Sequence, residues 1–305
     1  MSIFSILITN PLGYILGFIY NFTLNYGWAL VIFTILIKLI LLPLGLKQQK
    51  SMTRMQFVQP KMAEIQEKYK NDKNKQSEEM MKLYKEYKVS PMGGCLPLLI
   101  QLPILYGLYW VIREPLRYML HIPMDQINQM IADGGFSGYN AQILVAHAQN
   151  LINFNFLGLD LSAQPELTKP SWLWLIPLLA GVTTFLTSKV TTWMNKKDTD
   201  KAKKEEEKKP QRVLNPDQKQ QPGAGQTEGM MKGMLYFMPL MTLWITFTVP
   251  AALGVYWTIS NILSLLQTLV LNGYYAKKLK TEYAALEEQK ELERQERAKR
   301  KKRRG

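Results

Sequence analysis

The chain has 305 residues, 47% of them hydrophobic, and a formal net charge of +14. Long uncharged stretches alternate with densely charged ones, the pattern of a polytopic membrane protein and not of a soluble domain. The one cysteine, Cys95, excludes a disulfide framework and a cysteine-based metal site, and two histidines, His121 and His147, are too few for a zinc cluster, so no metal is expected.

No Lys or Arg precedes Lys38 and no small-residue cleavage pattern is present, so neither a cleaved signal peptide nor a lipid anchor is expected. Within an outer segment, residues 1–26, Asn10 and Pro11 read as a helix start that leaves about a dozen helical residues before Asn21. Crossing roughly 30 Å of hydrocarbon takes about 20 helical residues, so this helix is predicted to lie in the outer interface. The first predicted span, 27–46, contains "FTILIKLILLPL", in which ten of twelve residues are apolar or proline and one, Lys38, is charged.

Residues 47–90 predict a cytoplasmic helical hairpin. Met52, Met55, Val58, Met62, Ile65 and Tyr69 recur at three- and four-residue steps, and Met80, Tyr84 and Tyr87 do so after the polar turn "NDKNKQS". Either the two stripes bury each other, or Met52, Met55, Met62, Met80 and Met81 offer a soft surface to hydrophobic clients. A second span is predicted at 91–112, with Cys95 as a small packed residue near its start and Gln101 at mid-span as either an interhelical hydrogen-bonding group or a groove-lining residue. Residues 113–170 show short helical patterns broken by "DGGFSG", Pro165 and Pro170, and are predicted to form interfacial helices outside.

The third span is predicted at 171–194, where Lys189 near the inner end can snorkel toward Lys196 and Lys197. The polar, low-complexity stretch 195–232 reads as a disordered tether. From Gly233 to Ala276 there is no charge, enough for spans four, 233–252, and five, 253–276, turning near "VPAALG". The tail, 277–305, starts as a charged helix and ends in a basic run from Lys299 to Arg304, which anionic lipid headgroups or ribosomal RNA would attract. Lys and Arg number eleven in 47–90, ten in 195–232 and twelve in 277–305, against three in 113–170. The rich segments face the cytoplasm, which puts the N-terminus outside and the C-terminus inside.

Lys38 poses the central question. It lies nine residues before Lys47, about 13 Å deep if the helix is straight, at 1.5 Å per residue. It either snorkels with local membrane thinning or faces a wet cavity among the helices. Polar side chains that such a cavity would need recur on other turns: Thr34 on the same helix; Thr184, Thr187, Ser188 and Thr191 in span three; Thr242 and Thr246 in span four; Trp257, Ser260, Asn261, Ser264 and Thr268 in span five. Any single Ser or Thr more often bonds its own preceding turn. No Asp or Glu lies inside a span, no nucleophile and base pair appears, and no glycine-rich phosphate loop is present, so neither an enzyme nor a cofactor is expected.

Three stretches, "KLILLPL" leading into "SMTRMQFVQPKM", "EEMMKLYKEYKVSPMGGCLPLLIQLPI" and "FMPLMTLWITFTVPAALGVYWTISN", resemble the YidC and oxidase-assembly group of membrane protein insertases, and the resemblance runs from about Pro11 to Ala276. It implies an all-α polytopic membrane protein of five transmembrane helices around a hydrophilic groove, open to the cytoplasm and to lipid and closed outside. The family's groove charge falls at Lys38, its neighbouring polar residue at Thr34, and its client-contacting aromatic at Trp257, next to Tyr256. The family usually carries arginine where this chain has Lys38, and lysine lacks the bidentate fork. The large outer domain and extra N-terminal span of some bacterial members, and the lipoprotein cysteine of others, have no counterpart in this sequence.

The expected function is insertion of hydrophobic client segments into the bilayer of the bacterial cytoplasmic membrane, with translocation of short polar tails and no nucleotide hydrolysis. A solute transporter or channel using the same cavity is the alternative, and a chaperone for already inserted proteins is a third reading. The partners expected are client membrane proteins and the bilayer. Further candidates are the ribosome, through Lys299 to Arg304, the Sec translocon and the signal recognition pathway; DNA is not expected.

Overall fold

A computed structural model describes residues 3–89, 96–138, 140–206 and 236–302. Cys95, residues 207–232 of the predicted tether, and Arg303 and Arg304 of the basic run lie outside the described residues. In chain order the helices are α1 (Asn10–Thr23), α2 (Tyr26–Ile40), α3 (Leu42–Lys68), α4 (Lys73–Glu86), α5 (Leu96–Arg113), α6 (Pro115–Tyr118), α7 (Met124–Asp133) and α8 (Ala141–Ala148). Then come α9 (Leu175–Glu206), α10 (Tyr236–Thr246) and α11 (Ala251–Lys302). The β-structure among the described residues is one two-residue pairing, β1 (Asn155–Phe156) against β2 (Leu159–Asp160). Among the described residues three helical stretches, Ser5–Thr23, Trp172–Trp193 and Ala251–Ala285, are long and apolar enough to cross a membrane, and Tyr26–Ile40 with Leu42–Gln59 makes a fourth if taken as one broken span. The chain is a helical polytopic membrane protein.

Several elements differ from their predicted form. Asn10 has helical backbone angles and does not cap α1; a π-helical turn, Ser5–Thr9, precedes it, and the Asn10 N–H bonds Ser5 O. The proline ring at Pro11 crowds the carbonyl four residues back, and the wider turn relieves that clash. The continuous helix is therefore 19 residues long. Its length no longer argues against a crossing; it packs along α2 and α5, with Ile8 and Leu12 against Gly107, and also meets the segment predicted to be outside. Gly13 and Gly17 press against the backbone carbonyls of Tyr118 and Met119, Tyr14 stacks on His121, and the Asn153 N–H donates to the Tyr20 hydroxyl.

The predicted first span is not straight. It breaks at Leu41, with 62° between the axes of α2 and α3. Pro43 sits in the first turn of α3, where its missing N–H and fixed φ start a new helix more readily than they continue an old one. At its C-terminal end α9 runs on to Glu206, twelve residues into the stretch predicted as a tether. The turn between the last two apolar helices falls at residues 247–250, and α11 continues without a break from the apolar span through most of the charged tail. Apolar composition stops at the membrane surface, but helix propensity in a sequence rich in Ala, Leu, Glu and Lys does not.

The close-packed core occupies the half of the bundle on the side of residues 113–170, the side predicted to be outside. Leu12 and Leu16 of α1, Tyr26, Leu30 and Phe33 of α2, Leu108 and Ile112 of α5, Leu116, Ile127 and Ile143 of α6 to α8, Phe154 and Leu161 of the β-hairpin region, and Ala252 and Val255 of α11 form one buried cluster. Backbone of residues 153–163 ties this half together. The Tyr26 N–H donates to Asn153 O at 2.9 Å, the Ala251 N–H to Ala163 O at 2.9 Å, and the Ala252 N–H to Leu161 O at 3.1 Å, so the first amides of two long helices find partners in one loop. Phe156 lies across the start of α2, where a Cβ at Gly27 would come within 2.1 Å of its ring, so only glycine fits. The β-turn itself places Leu157 and Gly158 both at positive φ, as a two-residue hairpin of right-handed twist requires.

Candidate functional site

Below this core, toward the predicted cytoplasmic side, burial weakens on all the helices that converge on Lys38. On α2 one face, Tyr26, Ala29, Leu30, Phe33, Thr34 and Ile37, is buried while Trp28, Ile32, Ile35 and Leu36 on the other are exposed; past Ile37, Lys38 is half-buried and Leu39 and Ile40 are exposed. On α5 full burial starts at Gly107, with Gln101 to Leu105 half-buried or exposed; on α11 an unbroken buried stretch ends at Tyr256.

The Lys38 ammonium donates to the Ser264 hydroxyl of α11 at 2.8 Å, and that hydroxyl donates on to Ser260 O at 2.8 Å. Its partner is thus a neutral hydroxyl and not a carboxylate. One turn toward the core, the Gln101 amide of α5 donates to the Tyr256 hydroxyl at 2.9 Å, and the same hydroxyl is within hydrogen-bond reach of the Ser260 side chain. A polar chain therefore runs across α2, α11 and α5 at the lower border of the dry core. On the other face of α11 the Asn261 amide donates to Thr184 Oγ1 at 2.8 Å and reaches Thr183 Oγ1 at 3.4 Å, tying α11 to α9. Farther out, Gly254 lets these two helices approach so closely that a Cβ there would lie 2.5 Å from Ile176.

The structure sorts the residues named from sequence. Lys38, Ser264, Ser260, Tyr256 and Gln101 come together, and Asn261 pairs with Thr184. Thr34 is only 1% exposed and donates to Leu30 O at 2.6 Å, and Thr246 donates to Thr242 O at 2.8 Å, so both satisfy their own helix and neither faces an opening. Trp257 and Ser188 are half-buried on α11 and α9. In the hairpin, Met55 and Met62 pack against Val58, Leu83, Tyr87 and Val89, so the two apolar stripes do bury each other. Met52 and Met80 are half-buried, and Met81, 50% exposed, presents its thioether to solvent. Lys189 is exposed at the inner end of α9, its ammonium 5.7 Å over the Phe185 ring. An open cavity of about 360 Å³, lined by Tyr109, Arg113, Gln164, Thr248 and Pro250 among others, lies at the outer end of the bundle, on the opposite side of the core from Lys38.

The 62° bend also changes the depth of the charge. At 1.5 Å per residue, the three residues from Lys38 to Leu41 span about 4.5 Å, and the six beyond, tilted by the bend, add about 4 Å along the axis of α2. Lys38 thus lies about 9 Å above the level of Lys47 along that axis, not the 13 Å of a straight helix, and most of that gap is within reach of a lysine stem.

Sequence reasoning missed the cross-helix partners of the hairpin. Arg54 pairs with Glu282 at 3.2 Å, Thr53 meets Asn272 at 3.4 Å, and the Phe57 and Tyr87 rings flank Tyr283 at 5.5 and 5.6 Å. The row Gly45, Gln49, Thr53 and Phe57, four residues apart, was a visible signal for a helix packing on that face.

Comparison with known proteins agrees with this architecture. The family model described as 60Kd inner membrane protein matches residues 18–278. The chain is 34% identical over 262 residues to the membrane protein insertase YidC of Syntrophus aciditrophicus, covering 86% of this chain and 36% of that protein. Proteins of the same name from Nitratidesulfovibrio vulgaris and Haemophilus influenzae are 31% and 32% identical over 85% and 89% of this chain, which correspond to 37% and 38% of theirs. The chain thus spans well under half the length of these curated relatives. With a family match across most of its length and a helical bundle of the kind the motifs implied, the chain belongs to the 60Kd inner membrane protein family, the YidC and oxidase-assembly group.

Proposed function

We propose that the chain is a membrane protein insertase of the bacterial cytoplasmic membrane, acting on hydrophobic client segments that carry short polar tails. The observation that carries this reading is the division of the bundle into two halves. The outer half is close-packed and stitched by residues 153–163, whereas the inner half holds a half-buried ammonium bonded to a neutral hydroxyl. A pore would need a polar path through the close-packed apolar cluster that lies between the two ends; a site that takes a polar tail partway from one side needs none. Burying about 20 apolar client residues, each worth a few tenths of a kcal/mol on insertion scales, supplies the drive. The protein has only to lower the barrier for the polar tail.

In this reading five spans, α2 with the start of α3, α5, α9, α10 and α11, surround a groove open to the cytoplasm, with the N-terminus outside and the C-terminus inside. The helix at residues 5–23 lies along the outer surface, held by Tyr118, Met119, His121 and Asn153. Lys38 attracts acidic tails, Ser264, Ser260, Tyr256, Gln101 and Trp257 line the path, and the hairpin meets the client through Met81 and its neighbours. Release into lipid proceeds along α9 and α11. The ribosome and the Sec translocon are candidate partners through the basic tail and the bilayer-facing surface.

The test is reconstitution of the purified chain into vesicles with a small single-span client. Protease protection of the client's tail, without flux of ions or small solutes, is the expected result. Solute flux with no protection would favour a transporter, and no protection with improved folding of pre-inserted clients would favour a chaperone.

A further inference from the structure

The hairpin packs against both α9 and α11, and on α11 two of its contacts differ in character. At its root, α3 leaves α2 at the 62° break next to Lys38, and its first turn presses on α11, where Gln267 lies 2.5 Å from the position a Cβ on Gly45 would take. Gln267 is one helical turn past Ser264. At its far end, the hairpin grips α11 again: Tyr283 is wedged between Phe57 of α3 and Tyr87 of α4, with Arg54 and Glu282 paired beside it. Between root and grip, α3 and α11 run side by side through Thr53 and Asn272.

The far grip is incompletely satisfied. Among the described residues the buried Tyr283 hydroxyl and Arg54 Nε have no hydrogen-bond partner. Water would satisfy both atoms if the hairpin let go, so the joint holds by ring contacts and one partly exposed ion pair against a standing desolvation cost. Burial pushes the Tyr283 phenol above its usual range, with Glu282 reinforcing and Arg54 opposing. A joint built to be permanent would close these bonds; one built to separate need not.

We propose that the hairpin is a lever hinged at Leu41 and latched by Tyr283, and that release of this latch widens the inner mouth between Gly45 and Gln267, next to Lys38. Tyr283 is a positioning residue: it touches no client, and acts by holding α3 against α11. The proposal rests on the reading of Lys38 as a groove residue, but the hinge and latch are physical statements that need no client.

The test uses the full chain in lipid nanodiscs on a Cys95→Ser background. Spin labels at Lys75, on the exposed hairpin, and Lys189, on α9, report the hairpin position, and the rate at which a water-soluble thiol reagent modifies Gln267→Cys reports the mouth. Tyr283→Ala is expected to add a longer-distance population and speed labelling at least threefold, while Tyr283→Phe, which keeps the ring, leaves both readouts at the wild-type value. Glu282→Arg, which leaves every ring in place, is expected to release in the same direction, and the exchange Arg54→Glu with Glu282→Arg to restore docking. Unchanged distances in both Tyr283→Ala and Glu282→Arg would overturn the latch, and changed distances with unchanged labelling would overturn its link to the mouth. Client insertion is not part of either readout, so failure of the insertase reading in vesicles leaves this test standing.

Discussion

Reversing the charge at residue 38 separates attraction of a client tail from every other role of the site. A client carboxylate brought within about 4 Å of the Lys38 ammonium, where the Ser264 hydroxyl now sits at 2.8 Å, gains about 1 kcal/mol in bulk-like water and about 4 kcal/mol at an effective dielectric of 20. Lys38 is half-buried, so the lower part of that range applies. Lys38→Glu turns the attraction into a repulsion of similar size, a swing of about 2 kcal/mol, which is about 30-fold in rate. Lys38→Gln removes only the attraction, about 1 kcal/mol and about fivefold. The assay is the initial rate of protease protection for two clients with the same span, one with an Asp-containing tail and one with Asn in the same places. The Asp client should slow by these factors while the Asn client changes less than twofold. If Lys38→Glu slows both equally, the residue serves the fold or the hydration of the site and not tail recognition, and the electrostatic argument fails.

Other outcomes follow from single contacts. Gly27→Ala drives a methyl into the Phe156 ring and should destabilise the outer half by about 1–3 kcal/mol, seen as a lowered thermal midpoint with no selective effect on tail charge. Asn261→Ala removes the bond to Thr184; interhelical bonds in membranes average about 0.6 kcal/mol and reach about 1.7, so unfolding measurements should register a loss in that range, and a larger one would mean that Asn261 holds more than α9. The Tyr283 phenol is raised by burial, so docking of the hairpin is fully present below about pH 10, the ordinary tyrosine value, and is lost as pH rises through the docked-state value. The spin-label distance should therefore stay constant up to about pH 10 and lengthen above it in the wild type and not in Tyr283→Phe.

The apolar runs marked α5, α9, α10 and the first half of α11 clearly, because hydropathy reports where the chain meets lipid. Hydropathy carries no direction, so the break at Leu41 was hidden inside "KLILLPL" even though Pro43 stood in plain sight. Composition likewise marked the end of lipid at Lys277 but not the end of the helix, which runs on to Lys302. Polar stripes located Asn261 and Ser264 but could not say that one would clasp α9 and the other Lys38, since pairing depends on rotation of whole helices. Thr34, Thr246 and Thr184 look the same in sequence and all bond their own turns, yet only Thr184 also accepts from a neighbouring helix, through Asn261, while Thr34 and Thr246 are buried. The Met55 and Met62 stripe was readable as two alternatives, and packing chose the mutual one. Tyr283 left no trace, because an aromatic residue among charges reads as part of a solvated helix until the partner surface is known.

The uninterrupted course of α11 has a mechanical meaning. Its 52 residues make a rod about 78 Å long at 1.5 Å per residue, of which only about 30 Å can lie in hydrocarbon. Whatever pulls or tilts the protruding arm, at its strongly cationic tip, does so with leverage on the membrane-embedded portion, because no loop intervenes to absorb the displacement. Ser264 and Asn261 are joined to that arm by unbroken helix.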